Sequence, residues 1–226
     1  MSKVILEMSV SLDGYVTGPH VRPEEPMGDG GERLHEWMFA GKSQAEVETF
    51  QTAKYSEIGA LILGRRMADL GIGPWGEQPA FHAPCFVVTH HPAETIVKKG
   101  GTSYIFVTDG IEAALDMARQ AAGPQDVQVN GGADIARQLL NAGLLDEIRL
   151  HLVPIILGAS TRLFEGVRTD VRLVPREAQN APAVTHLIYD VEGPTAELER
   201  SDRGRRPAPL RALPAGTFTL DARSCH

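Results

Sequence analysis

Three short segments combine residue types that bind anions. Gly64-Arg65-Arg66 follows the apolar run Ala60-Leu61-Ile62-Leu63, and Thr89-His90-His91 follows Cys85-Phe86-Val87-Val88. Asn130-Gly131-Gly132-Ala133 follows Val127-Gln128-Val129 and precedes a helical stretch. A guanidinium offers paired donors that match phosphate oxygens. Two glycines remove Cβ atoms where a backbone must approach a ligand closely. A helix start adds unpaired N–H groups and the positive end of the helix dipole. Together the three point to a phosphate-rich ligand such as a nucleotide. Each also has a plainer reading. Arg65 and Arg66 could pair with Asp69 or Glu77 on the surface, and Asn130 to Gly132 could be a tight strand-to-helix turn with no ligand.

The segments act together only if one sheet edge carries all of them. Residues 3–10 form a short β-prone run ending at the turn signal Asp13-Gly14, and 18–31 read as a loop. A short helix is expected over 32–39. Ser43 with Glu46 has capping-box spacing, so a helix follows over 44–57. Residues 60–64 and 85–89 are apolar strands of the kind buried on both faces of a parallel sheet, and 104–107 is a third strand. Helices are expected over 65–70, 111–122 and 134–141, the last closed by Gly143 as a C′ residue. Residues 127–129 form a strand between the second and third of these helices. Three strands with short connections follow, over 147–153, 171–177 and 184–190. Alternating strands and helices, then strands alone, predict a mainly parallel α/β sheet finished by antiparallel strands. Parallel strands bind ligands at their carboxyl ends, where the three anion-binding segments fall.

Other chemistries find little support. Gly71-Ile72-Gly73-Pro74-Trp75-Gly76 satisfies G-x-G-x-x-G, but Pro74 and Pro79 leave no helix to open at the glycines, so it reads as a loop. His82, Cys85, His90 and His91 match no common zinc spacing, so no metal is expected. Pro84-Cys85 lacks the second cysteine of a cytidine-type deaminase. The P-loop and G-x-S-x-G signatures are absent from the sequence.

The chain has 226 residues and a net charge of -7, which argues against a nucleic-acid binder. No apolar run is long enough to span a bilayer, and Glu7 interrupts any signal-peptide core near the start. Cys85 and Cys225 lie far apart with no CxxC, so a cytoplasmic protein is expected. Residues 192–226 hold six arginines against five acids, with four prolines and no apolar periodicity through 201–214. They read as an irregular or disordered tail on a domain of residues 1–191.

Several motifs in order carry a resemblance: Ser11-Leu12-Asp13-Gly14-Tyr15-Val16, Leu63-Gly64-Arg65-Arg66-Met67, Gly73-Pro74-Trp75-Gly76, Val129-Asn130-Gly131-Gly132, and Leu152-Val153-Pro154-Ile155-Ile156-Leu157-Gly158 with Leu163-Phe164. Over residues 2–190 the chain resembles the dihydrofolate reductase-like family, in the branch similar to the C-terminal reductase domain of riboflavin-biosynthesis deaminase–reductases. The resemblance implies a dihydrofolate reductase-like α/β fold, a mainly parallel twisted sheet flanked by helices with antiparallel C-terminal strands. It implies that Gly64, Arg65 and Arg66, with Thr89 and His90, bind the 2′-phosphate end of NADPH. Asn130, Gly131, Gly132 and Ala133 would bind the pyrophosphate, and Ser9, Asp13 and Val16 would line the nicotinamide. Dihydrofolate reductases carry a helix carboxylate that grips the pterin; Glu46 and Glu48 sit in a helix of suitable position, but no motif fixes either.

The expected activity is an NADPH-dependent reduction of a C=N or C=O in a small heterocycle. The substrate suggested by the resemblance is 5-amino-6-(5-phosphoribosylamino)uracil or a similar compound. A non-catalytic nucleotide-binding module, and a reductase of an unrelated pterin or xenobiotic, remain as alternatives. Asp13 is the expected catalytic residue, as proton donor or water-holder, against a plainer role as a turn residue bonding its own backbone. The resemblance further suggests a homodimer. Neither a nucleic acid nor a membrane is an expected partner.

Overall fold

The computed structural model of the chain describes residues 2–42 and 55–193. The helix expected over 44–57 lies mostly outside them, as do Ser43, Glu46 and Glu48. The tail from residue 194 onward lies outside them too.

The strands are β1 (Val4–Ser11), β2 (Ile58–Gly64), β3 (Pro84–Val88), β4 (Ile96–Val97), β5 (Ser103–Val107), β6 (Asp126–Gly131), β7 (Glu147–Val153), β8 (Arg172–Ala181) and β9 (Val184–Glu192). The described α-helices are α1 (Glu36–Phe39), α2 (Arg65–Gly71), α3 (Gly110–Ala122) and α4 (Ala133–Asn141). Short 3-10 turns occupy Gly31–Leu34 and Lys99–Gly101. The described strands form one sheet in the order β4-β5-β3-β2-β6-β1-β7-β9-β8. The six from β5 to β7 in that order all run parallel to their neighbours. Their carboxyl ends therefore share one rim. β4, β9 and β8 pair antiparallel.

The parallel strands are apolar because they are covered twice. Ala60, Ile62, Phe86, Val127 and Val129 face the core built with α3 and α4. Leu61, Leu63, Cys85, Val87 and Tyr104 face the other way, against Phe81, Trp75 and Met67. Each fully buried Leu or Ile contributes about 1.5–3 kcal/mol relative to exposure. Gly59 lets α3 approach β2, since a Cβ there would lie 2.6 Å from the Ala122 Cα. α4 ends in a Schellman cap, with Gly143 at φ +68°. The Leu144 N–H donates to the Leu139 carbonyl at 2.9 Å, and that of Gly143 to Leu140 at 3.1 Å.

Two expectations are corrected and one strand is added. The helix expected over 32–39 breaks into a 3-10 turn and the single turn α1, joined at His35. β4 has no sequence signal, since a two-residue exposed strand is too short to show alternation. β8 runs ten residues, past its expected end at 177, because the two-residue turn at Pro182-Ala183 lets Ala181 pair with Val184. Pro175 is tolerated on this edge strand, where the register shifts between Pro175 and Glu177 and bulges Arg176 out. Among the described residues no helix is long and apolar enough to cross a membrane.

Candidate active site

A cleft of about 1490 Å³ opens at the shared rim. It is lined by Ser9, Val16, Gly64, Arg65, Arg66, Thr89, His90, Asn130, Gly132 and Ala133, so ten of the expected cofactor residues meet there. Gly131 lies buried beneath it: its φ is +119°, and a Cβ would meet Met8 Sδ at 3.0 Å. The Gly131–Gly132 peptide is cis.

In one half of the cleft, Arg65 rises from the start of α2 and lies 5.3 Å over the Phe106 ring. Its Nε donates to Asp69 Oδ1 at 2.8 Å, so the plain surface pairing does exist. Nη1 makes only long contacts, 3.5 Å to Thr89 Oγ1 and 3.4 Å to the His91 carbonyl. Nη2 has no partner among the described residues. Arg66 is exposed and makes a long bond to the Val21 carbonyl, 3.4 Å. Thr89 is buried, and its Oγ1 accepts from the His91 N–H at 3.1 Å, which turns the chain at the strand end.

The start of α4 closes this half. Gly132 is its N-cap, with no side-chain cap, so the first amides of the helix have no local acceptor. A Cβ on Gly132 would meet nothing within 4 Å, and a Cβ on Gly64 would lie 3.3 Å from the Gly132 N. The two strand ends therefore stand side by side, with open space over the glycine. Asn130 Oδ1 accepts from Gln128 Nε2 at 2.6 Å, which holds the amide and leaves its NH₂ for other acceptors. Asp134 in the first turn is an unfavourable charge for an anion here; it is tied to Gln138 Nε2 at 2.7 Å. Uncapped amides, an open cradle and a guanidinium with spare donors fit a dinucleotide phosphate.

Asp13 requires correction. It does not line the cleft. Its carboxylate accepts from Ser11 Oγ at 2.6 Å, from Gly158 N at 2.7 Å and from Leu157 N at 3.2 Å. The Ser11 bond, then the two N–H groups, outweigh a burial penalty and hold it at about pKa 2. A carboxyl ionised at neutral pH has no proton to give. Asp13 instead ties the β1 turn to residues 157–158, beside the backbone bonds Leu12 N to Ile155 O and Val16 N to Thr161 O.

The other half of the cleft joins Ser9, an expected residue, to groups that no motif in the sequence marks. Glu7 and Ser9 on β1 and His151 on β7 line it together with Met38, Phe39 and Tyr55. Glu7 is buried, and its Oε1 lies 3.0 Å from His151 Nε2. His151 Nδ1 lies 2.8 Å from His186 Nδ1 on β9. Trp37 of α1 packs on both rings at centroid distances of 4.7 and 5.1 Å, and its Nε1 donates to Ser9 Oγ at 3.2 Å. The signal was present in the alternation. Glu7, Ser9 and Ser11 fall on one face of β1, and Glu147, Arg149 and His151 on the matching face of β7. Glu46 and Glu48 lie outside the described residues; among the described ones, Glu7 is the carboxylate on the β1 side of the cleft.

Comparison with known proteins agrees with this architecture. The profile of the RibD C-terminal domain matches residues 2–187. The chain is 24% identical to Bacillus subtilis (strain 168) YyaP over 84% of its length and 96% of that protein. It is 22% identical to YwjB of the same strain over 83% and 97%. Both relatives are uncharacterized. A putative riboflavin biosynthesis protein from Shewanella sp. PV-4 superposes with a TM-score of 0.64 at 19% identity, covering 84% of this chain and 99% of that one. Acinetobacter baumannii RibD superposes with a TM-score of 0.58 at 15% identity, covering 85% and 59%. These likenesses show a dihydrofolate reductase-like fold of the kind used by riboflavin-pathway reductases. With a family profile spanning residues 2–187, the chain belongs to the RibD C-terminal domain family.

Proposed function

We propose that the protein is an NADPH-dependent reductase of a small heterocyclic substrate. The observation that carries this reading is the convergence of Arg65, Thr89 and the uncapped start of α4 on one cleft. Arg65, with Thr89 and His90 beside it, would hold the 2′-phosphate; Gly132, Ala133 and Asn130 would hold the pyrophosphate. Ser9 and Val16 would flank the nicotinamide, which supplies a hydride to a C=N or C=O carbon. The chain's own residues orient the partners and control protons.

Within this reading a ribosylaminopyrimidine phosphate of the riboflavin type is one substrate. One observation favours a different heterocycle: the buried charge beside the substrate space is the carboxylate Glu7, which would repel a phosphate placed there. A homodimer belongs to the same proposal, and light scattering tests it. Thermal melts with NADPH and NADH test the cofactor. NADPH at about 100 times its Kd should add about 2.7 kcal/mol of stability. No shift at millimolar NADPH refutes the reading. Oxidation of NADPH against a panel of phosphorylated and unphosphorylated pyrimidines and pterins then separates the substrates.

A further inference from the structure

We propose that Glu7, His151 and His186 form a proton line from β9 into the cleft, and that Glu7 protonates the substrate atom left electron-rich by hydride transfer. This rests on the reductase reading above.

The line is fixed by register. Ser9 pairs with His151 across β1 and β7, which sets Glu7 diagonally beside His151, and His151 lies directly opposite His186 across β7 and β9. The polar atoms face one another in sequence, at 3.0 and 2.8 Å. They do not converge on a common point, and no group of three metal-ligating side chains exists among the described residues. Trp37, itself buried, covers both rings, so the two imidazoles exchange protons with each other under an apolar lid. Glu7 and His151 reach the cleft, whereas His186 does not line it. The charged neighbours on these strands are already engaged. Arg149 and Lys3 are bonded to Glu147, and Arg176 bridges Glu147 and Asp190. His35, next to α1, lines the same cleft.

Protons balance along the line. With both rings neutral, Glu7 accepts from His151 Nε2–H, His151 Nδ1 accepts from His186 Nδ1–H, and His186 Nε2 is the outer end. A proton taken up there moves His186 Nδ1–H to His151 Nδ1 and His151 Nε2–H to Glu7. The substrate carbon receives the hydride, and its double-bond partner keeps the π pair. That atom takes the proton from Glu7, which returns to carboxylate. After product leaves, His151 Nε2 regains a proton through the open cleft. The Nδ1 proton returns to His186, and His186 Nε2 releases one.

The test is side-chain ¹⁵N NMR of the full chain between about pH 5 and 9, the range where histidine changes charge. His151→Gln and His186→Gln assign the signals. The expected result is one shared protonation step reported by both rings and displaced for both by Glu7→Gln. Independent titration of the rings, or no response to Glu7→Gln, overturns the line. Trp37 in Trp75→Phe protein gives a second reading, because imidazolium quenches the neighbouring indole. NADPH melts of every variant check folding and cofactor binding; absence of a shift in the parent protein refutes the reductase reading and leaves the NMR result standing by itself. On a substrate from the panel, Glu7→Gln should lower kcat about 100-fold with NADPH Kd within about twofold. A loss of roughly threefold or less overturns Glu7 as the donor.

Discussion

Replacing Arg65 with Ala should separate the two nicotinamide cofactors. Nη2 has no partner among the described residues, and the two Nη1 contacts at 3.4 and 3.5 Å are too long to be strong. The guanidinium can therefore give two bonds to a 2′-phosphate while Nε stays on Asp69. Charge-assisted bonds contribute about 1.5 kcal/mol or more each, so losing both costs about 3 kcal/mol, or about 150-fold in the NADPH Kd. NADH has no phosphate at that position, and its Kd should change by less than about threefold. Folding should hardly be affected, because the Arg65–Asp69 pair is partly exposed and such pairs contribute about 0–1 kcal/mol. Isothermal titration of both cofactors against parent and variant measures the split. Asp69→Asn, which removes a carboxylate beside the guanidinium, should tighten NADPH. Equal losses for the two cofactors in Arg65→Ala would refute the assignment of the phosphate to this rim.

Three further outcomes follow from the same geometry. Gly132→Ala places a methyl in open space at an extended backbone position, φ −72° and ψ −172°, so folding should survive while both cofactors lose about tenfold or more in affinity as the backbone is held away from the pyrophosphate; titration with NADPH and NADH reads this. Asp13→Asn should keep kcat within about threefold, against the 100-fold or greater loss expected of a proton donor, and should lower Tm by loosening residues 157–158. Glu147 is buried, which opposes its ionisation, but bonds from Lys3 and Arg149 outweigh burial and lower its pKa. The unfolded chain then binds this proton more readily than the folded one. The ion cluster stabilises fully above about pH 4.5 and loses its effect as pH falls below it. The Tm gap between the parent and Glu147→Gln should therefore shrink in acid, as scanning calorimetry across pH measures.

The alternation of strands and helices, and the strand ends that meet at one rim, were legible because they depend on local patterns. Short apolar runs such as Ala60-Leu61-Ile62-Leu63, bounded by glycine, read as strands covered on both faces, and the glycines and arginines stand where such strands end. β4 was not legible because two exposed residues carry no period. The Glu7–His151–His186 line was not legible either, since residues 144 and 35 positions apart are joined only by the β1-β7-β9 register. Alternation on β1 and β7 marks a polar face, but an alternating strand face is more often turned to solvent than into a cleft. Asp13 was misjudged for a related reason. An Asp-Gly turn looks the same whether its carboxylate faces a substrate or, as here, the amides of a loop far away in sequence.

An acidic chain can still bind an anion if contact donors decide the matter, and salt distinguishes the donors. At physiological ionic strength the carboxylates spread over the body are screened beyond about 8 Å. What remains at the rim is the formal charge of its arginines, offset by Asp69 and Asp134, and partial charges on the amides opening α4. A guanidinium–phosphate pair at a partly exposed rim weakens as salt rises, because ions compete with it. Hydrogen bonds from the amides of Ala133 and Asp134 carry little net charge and respond less. Arg65→Ala should therefore flatten the salt dependence of NADPH binding, whereas Gly132→Ala should lower affinity at every salt concentration with the slope unchanged. Titrations from about 0.05 to 0.5 M salt, over which the Debye length shortens several-fold, measure both slopes. If Arg65→Ala leaves the slope intact, the charge that meets the phosphate lies elsewhere on the rim, and Arg66 and Arg137, the other arginines lining the cleft, become the residues to replace.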